Sequence, residues 1–127
     1  MKDLNGMRFL ITEDNELYAD IMTELLTLRH AIVRCVHSGE EAVRRITEDE
    51  EGYDAVLMDV QMPGMNGYEA TQAIRLLERG AQVPIFAMTA SSMDCDRRSA
   101  QRAGMTAFLQ KPLEMSTLDH ALMRAYA

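Results

Sequence analysis

Five short apolar runs punctuate the chain: Phe9-Leu10-Ile11, Ile32-Val33-Arg34-Cys35-Val36, Ala55-Val56-Leu57-Met58, Pro84-Ile85-Phe86-Ala87-Met88 and Ala107-Phe108-Leu109. Most of them do not alternate with polar residues. Unbroken runs of this length predict strands buried on both faces, as in a parallel sheet. A segment with helical spacing follows each run.

From Asn15 to His30 the chain carries Leu17, Tyr18, Ile21, Met22, Leu25, Leu26 and Leu28. That stripe is wider than one buried helix face needs. Ser38-Gly39-Glu40-Glu41 reads as a capping box, with Ala42, Val43 and Ile46 behind it on one face. Ala70, Ala73, Ile74 and Leu77 form an amphipathic stripe, as do Met115, Leu118, Ala121, Leu122 and Ala125. The segment from Met93 to Ala103 offers Met93, Ala100 and Ala103, is otherwise mostly polar and predicts a weakly anchored helix. Strand and helix therefore alternate about five times, which predicts an α/β fold with helices on both faces of a parallel sheet.

The 127 residues suit one domain, taken here as residues 1–127. The last helical pattern runs to Ala127, so no effector module is expected after it. Thirteen Lys and Arg against 20 Asp and Glu give a net charge of -7, which disfavours a nucleic-acid groove. No apolar run is long enough to cross a bilayer, and the first residues lack the apolar core of a secretion signal. No membrane contact by this domain is expected, and a cytoplasmic location is. The two cysteines, Cys35 and Cys95, build no disulfide framework or zinc spacing. His30, His37 and His120 show no ligand spacing either.

The polar residues that follow the apolar runs change the picture. Glu13-Asp14 follow the first run, Asp59 the third, Thr89 the fourth and Lys111 the fifth. In a parallel sheet these are carboxyl ends of strands and share one edge. Ligands of open α/β sheets bind at that edge, where strand order reverses. If the first and third strands are neighbours, three carboxylates meet in one pocket. They repel, and each has a raised pKa unless a positive charge compensates. A hard divalent cation with oxygen ligands fits, and Mg²⁺ is the expected one; Lys111 supplies a second charge. A metal, a lysine, a hydroxyl and a free carboxylate suit the holding of a phosphoryl group and its in-line transfer to the carboxylate.

Glu13-Asp14-Asn15, Met58-Asp59-Val60-Gln61-Met62-Pro63-Gly64-Met65-Asn66-Gly67, Thr89-Ala90 and Lys111-Pro112 occur in an order and spacing that resembles the receiver domain of two-component response regulators. The resemblance covers nearly the whole chain. Receivers are themselves among the type cases of the sheet-edge rule just used. The resemblance implies a three-layer, flavodoxin-like (βα)5 fold with strand order 2-1-3-4-5. It implies that Asp59 accepts a phosphoryl group from a phosphohistidine. Glu13, Asp14 and Asp59 would bind Mg²⁺, with Glu13 direct or through water, and the backbone carbonyl of Gln61 would complete the protein ligands. Lys111 and Thr89 would hold phosphoryl oxygens. Thr89 and Phe108 would act as the switch, Gln61 and Ser91 would tune the phosphoryl lifetime, and Lys111-Pro112 would be cis.

The partner implied is a histidine kinase or a histidine-phosphotransfer domain. The surplus apolar residues of the first helix, Leu17, Leu28 or Tyr18, would supply a docking patch for it. Leu4-Asn5-Gly6-Met7-Arg8 and Ala87-Met88-Thr89-Ala90 look like receivers within hybrid sensor histidine kinases. A stand-alone regulator is the alternative. The domain would catalyse only its own phosphorylation and dephosphorylation. A small phosphatase with an Asp nucleophile is a further reading, weakened because Gln61 stands where the haloacid-dehalogenase type usually carries a second Asp. A degenerate receiver is opposed by the complete set of acids and Lys111.

Overall fold

A computed structural model describes residues 3–90 and 97–126. Five strands, β1 (Arg8–Thr12), β2 (Ile32–Val36), β3 (Ala55–Asp59), β4 (Ile85–Thr89) and β5 (Ala107–Gln110), form one parallel sheet in the order β2-β1-β3-β4-β5. Five helices connect or follow them: α1 (Glu16–Thr27), α2 (Gly39–Glu48), α3 (Gly67–Arg75), α4 (Arg97–Ala103) and α5 (Met115–Ala125).

The side-chain alternation of a strand divides the core into two layers. Leu10, Val56, Met58, Ile85 and Ala87 point to the side covered by Ala42 and Ile46 of α2, Ala70 and Ile74 of α3, and Ala100 of α4. Phe9, Ile11, Leu57, Phe86, Met88 and Leu109 point to the other side, under Met22 and Leu26 of α1 and Leu118 and Leu122 of α5. β3 and β4 are buried along their whole length, as their unbroken runs predicted. β2 departs from that expectation. It is one edge of the sheet, with Ile32 and Arg34 exposed and only Val36 buried. An edge strand has a neighbour on one side only, so its run need not be buried on both faces.

Local chemistry fixes the helix starts. Asn15 caps α1 by accepting the Tyr18 N–H, and Ser38 caps α2 by accepting the Glu41 N–H. Asn66 and Glu69 form a reciprocal capping box on α3. α3 ends at Arg75, so Leu77 of the expected stripe lies beyond it, ahead of a 3₁₀ turn at Glu78–Gly80. The described part of α4 buries Ala100 and Ala103, as expected of a sparsely apolar helix; Met93 lies outside the described residues. Among the described residues no helix is long and apolar enough to cross a membrane.

Candidate functional site

Strand register brings the acids together. β1 lies between β2 and β3, so the chain reverses its direction of growth there and leaves a crevice at the carboxyl edge. Thr12 pairs with Met58, so the next residue on each strand, Glu13 and Asp59, sit side by side. Asp59 pairs with Met88 and Thr89 pairs with Gln110, which carries the same edge across to Thr89 and Lys111.

Carboxylate oxygens of Glu13, Asp14 and Asp59 all lie within 4.8 Å of one another. Glu13 and Asp59 are buried and Asp14 is exposed, so the cluster opens to solvent at Asp14. Lys111 Nζ stands 2.6 Å from Glu13 Oε1 and 3.6 Å from Asp59 Oδ1. The backbone N–H of Gln61 donates to Asp59 Oδ1 at 3.1 Å, and that of Asn15 donates to Glu13 Oε2 at 3.1 Å.

The electrostatics show an unbalanced charge. Burial, and then the adjoining Glu13 carboxylate, push the Asp59 carboxyl up to about 7, against the opposing pull of Lys111 and the Gln61 N–H. Burial acts to lower the Lys111 ammonium, but its hydrogen bond to Glu13 and the charges of Asp59 and Glu13 prevail and raise it. One lysine thus faces three acids. The donor set is all oxygen and one side is open, which suits a hard cation such as Mg²⁺ and gives nothing to a soft one. The residues present fit that ion.

The other expected residues take different places. Thr89 is buried at the end of β4, and its carbonyl accepts the Lys111 N–H at 2.7 Å. Phe108 is half-buried and pairs with Ala87, so it lies on the same side of the sheet as Thr89, two residues away along the ladder. It stands clear of the acidic cluster and lines a cavity of about 560 Å³ between α4 and α5, with Ala100, His120 and Arg124. Gln61 is exposed, and Ser91 lies outside the described residues. The Lys111-Pro112 bond is cis.

The apolar surplus expected on the first helix needs one correction. Leu17 and Leu28 are 71% and 62% exposed and are joined by Ile21 at 46%. Tyr18 is not part of that surplus. It is half-buried, with its ring 4.7 Å from Lys111 Nζ and its hydroxyl accepting the Leu113 N–H at 3.0 Å. His37, which shows no ligand spacing in the sequence, sets its Nδ1 3.0 Å from the Glu13 carbonyl. No local signal marks it. The cap position of Asn15 was open to reading, because Asx residues ahead of an apolar stripe are the usual N-caps.

The arrangement can hold a dication among its acids and present one buried carboxylate beside a lysine. The response regulator receiver domain model matches residues 9–123. Histidine kinase 1 of Arabidopsis thaliana is 34% identical over 96% of this chain and 13% of its own length. The sensor protein GacS of Pseudomonas syringae pv. syringae is 38% identical over 92% of this chain and 13% of its own length. The chain therefore spans about 13% of the length of these relatives. The receiver domain of the sensor histidine kinase PA1611 from Pseudomonas aeruginosa PAO1, crystallised with magnesium in its active site cleft, is 36% identical with a TM-score of 0.85, covering 96% of this chain and 99% of that one. The receiver domain of the histidine kinase CKI1 from Arabidopsis thaliana, complexed with Mg²⁺ and BeF₃⁻, is 32% identical with a TM-score of 0.81, covering 97% of this chain and 91% of that one.

Proposed function

The chain belongs to the response regulator receiver domain family, and from that premise we propose that Asp59 is its phosphoacceptor. The observation that carries the reading is the trio of carboxylates within 4.8 Å, joined by Lys111 at 3.6 Å from Asp59. An Asp59 oxygen attacks phosphorus in line as the P–N bond of a phosphohistidine breaks. The imidazole leaves with the nitrogen electron pair, and an acyl phosphate forms on Asp59. Lys111 leaves Glu13 for a phosphoryl oxygen, and the Thr89 hydroxyl donates to another. Glu13, Asp14, Asp59 and the Gln61 carbonyl would hold Mg²⁺, which would supply charge neutralisation to the phosphoryl oxygens.

Thr89 and Phe108 share one side of the sheet, which supports them as a switch that carries the event to the α4–α5 face. Gln61 and Ser91, each two residues beyond a strand end, set the lifetime of the acyl phosphate. The relatives being histidine kinases, the donor is a kinase or phosphotransfer domain carrying phosphohistidine, met on the exposed Leu17 and Ile21 of α1 and Leu28 just beyond its end. The chain acts as the receiver of a hybrid sensor histidine kinase, on the cytoplasmic side.

Intact mass after incubation with phosphoramidate and Mg²⁺ tests the reading. Wild type gains one phosphate adduct and Asp59→Asn gains none. An adduct retained in Asp59→Asn, or no adduct in wild type, overturns it.

A further inference from the structure

Lys111 carries a flexible stem whose ordering costs rotamer freedom. Two contacts restrain its ammonium besides Asp59: Glu13 at 2.6 Å and the face of Tyr18 at 4.7 Å from the ring centroid. The Glu13 bond has to be given up when a phosphoryl group arrives, because the ammonium must then turn to a phosphoryl oxygen. The ring contact need not be given up, since the attraction of an aromatic face for a cation tolerates small displacements.

Tyr18 is itself held at both ends. Its backbone N–H is bound by the Asn15 cap at 3.0 Å, and its hydroxyl accepts the N–H of Leu113, two residues beyond Lys111. One side chain therefore touches the ammonium of Lys111 and the backbone that follows it. Burial raises the Tyr18 phenol above its ordinary value, so it is neutral at physiological pH and attracts the lysine through its ring face.

We propose that Tyr18 is a positioning residue for phosphoryl transfer, holding the Lys111 ammonium at the acidic pocket through its ring while Glu13 is exchanged for the phosphoryl group. The inference rests on Asp59 being the phosphoacceptor.

The test is the rate of phosphoramidate labelling with Mg²⁺ in wild type, Tyr18→Phe and Tyr18→Leu, each also in a Lys111→Ala background. A cation–π contact at a partly desolvated site corresponds to about tenfold in rate. Tyr18→Leu should be about tenfold slower than wild type, and Tyr18→Phe within about threefold of it. The effect of Tyr18→Leu should vanish once Lys111 is absent, which a merely structural role would not produce. Wild-type NMR adds a readout independent of variant folding: the Lys111 ε-methylene protons should be shifted upfield by the ring. Labelling of wild type with Tyr18→Leu equally fast overturns the inference and leaves the acceptor reading standing. So does a Tyr18→Phe rate as slow as Tyr18→Leu, a loss that persists without Lys111, or an unshifted ε-methylene. No labelling of wild type sinks the acceptor reading itself.

Discussion

The most consequential residue is the one whose environment suits its charged form least. Asp59 is buried beside Glu13, and its carboxyl is pushed up to about 7. An unfolded aspartate titrates near ~4. The folded value is the higher one, so the stability contributed by the Asp59 proton is complete below about pH 4 and is lost as pH rises through 7. The metal-free protein should therefore melt at progressively lower temperature from pH 5 to pH 8, and Mg²⁺ should flatten that slope. Asp59→Asn should raise stability at pH 8 by roughly 1–2 kcal/mol, a figure reduced for solvent screening at the open side of the cluster. Thermal melts across this range check both statements. Removal of a charge from a well-matched site would lower stability, so a destabilised Asp59→Asn would contradict the electrostatic reading.

Between strand and helix, the position of Asp59 depends on a close backbone approach. A Cβ added to Gly67 would meet the Asp59 carbonyl oxygen at 2.3 Å and Val60 Cα at 2.8 Å, both backbone atoms with no room to rotate away. The Gly67 N–H also donates to the Val60 carbonyl at 3.2 Å. The start of α3 and the end of β3 thus form one unit, which the Asn66–Glu69 capping box holds in place. Gly67→Ala should cost about 2–3 kcal/mol, as overpacking does, and should slow phosphoramidate labelling because Asp59 moves with the loop. Urea unfolding and labelling rates together check it; an unaltered midpoint would mean that the turn can relax. Sequence reading noticed the residues of this turn through the resemblance, but not their mechanical reason. The close approach involves residues eight apart whose meeting depends on the fold of the intervening loop. It also passed over the helix stop at Arg75, whose guanidinium turns from α3 to bond backbone carbonyls elsewhere.

At the scale of the whole molecule, alternation of apolar runs with helical stripes was enough for the layered α/β architecture, because burial on both faces leaves a local mark. The acids at Glu13, Asp14 and Asp59 were legible for a related reason: each follows a strand, and parallel strands end together. The exposure of β2 was not legible, since an apolar run looks alike at an edge and in the middle. Nor was the seat of Tyr18 on Lys111, which only the approach of α1 to the residues that follow β5 creates. The exposed Leu17 and Ile21 of α1, with Leu28 just beyond its end, remain as apolar surface on a strongly acidic chain. Leu17→Glu together with Ile21→Glu should reduce the ratio of labelling by a phosphohistidine-bearing protein to labelling by phosphoramidate about tenfold, as the loss of central apolar anchors does. Stopped reactions analysed by intact mass would measure the ratio, and an unchanged value would place the donor elsewhere. Arg75 has a bearing on the opposite rim of the sheet. Its guanidinium bonds the carbonyls of Gly104, Gly80 and Val83 at 2.8, 2.9 and 2.6 Å, gathering the approaches to β4 and β5 and the tail of α4 around one planar cation. The end of α4 next to Gly104 is therefore tied down, and a displacement of this helix, were phosphorylation to produce one, would have that tie to pivot on or to break.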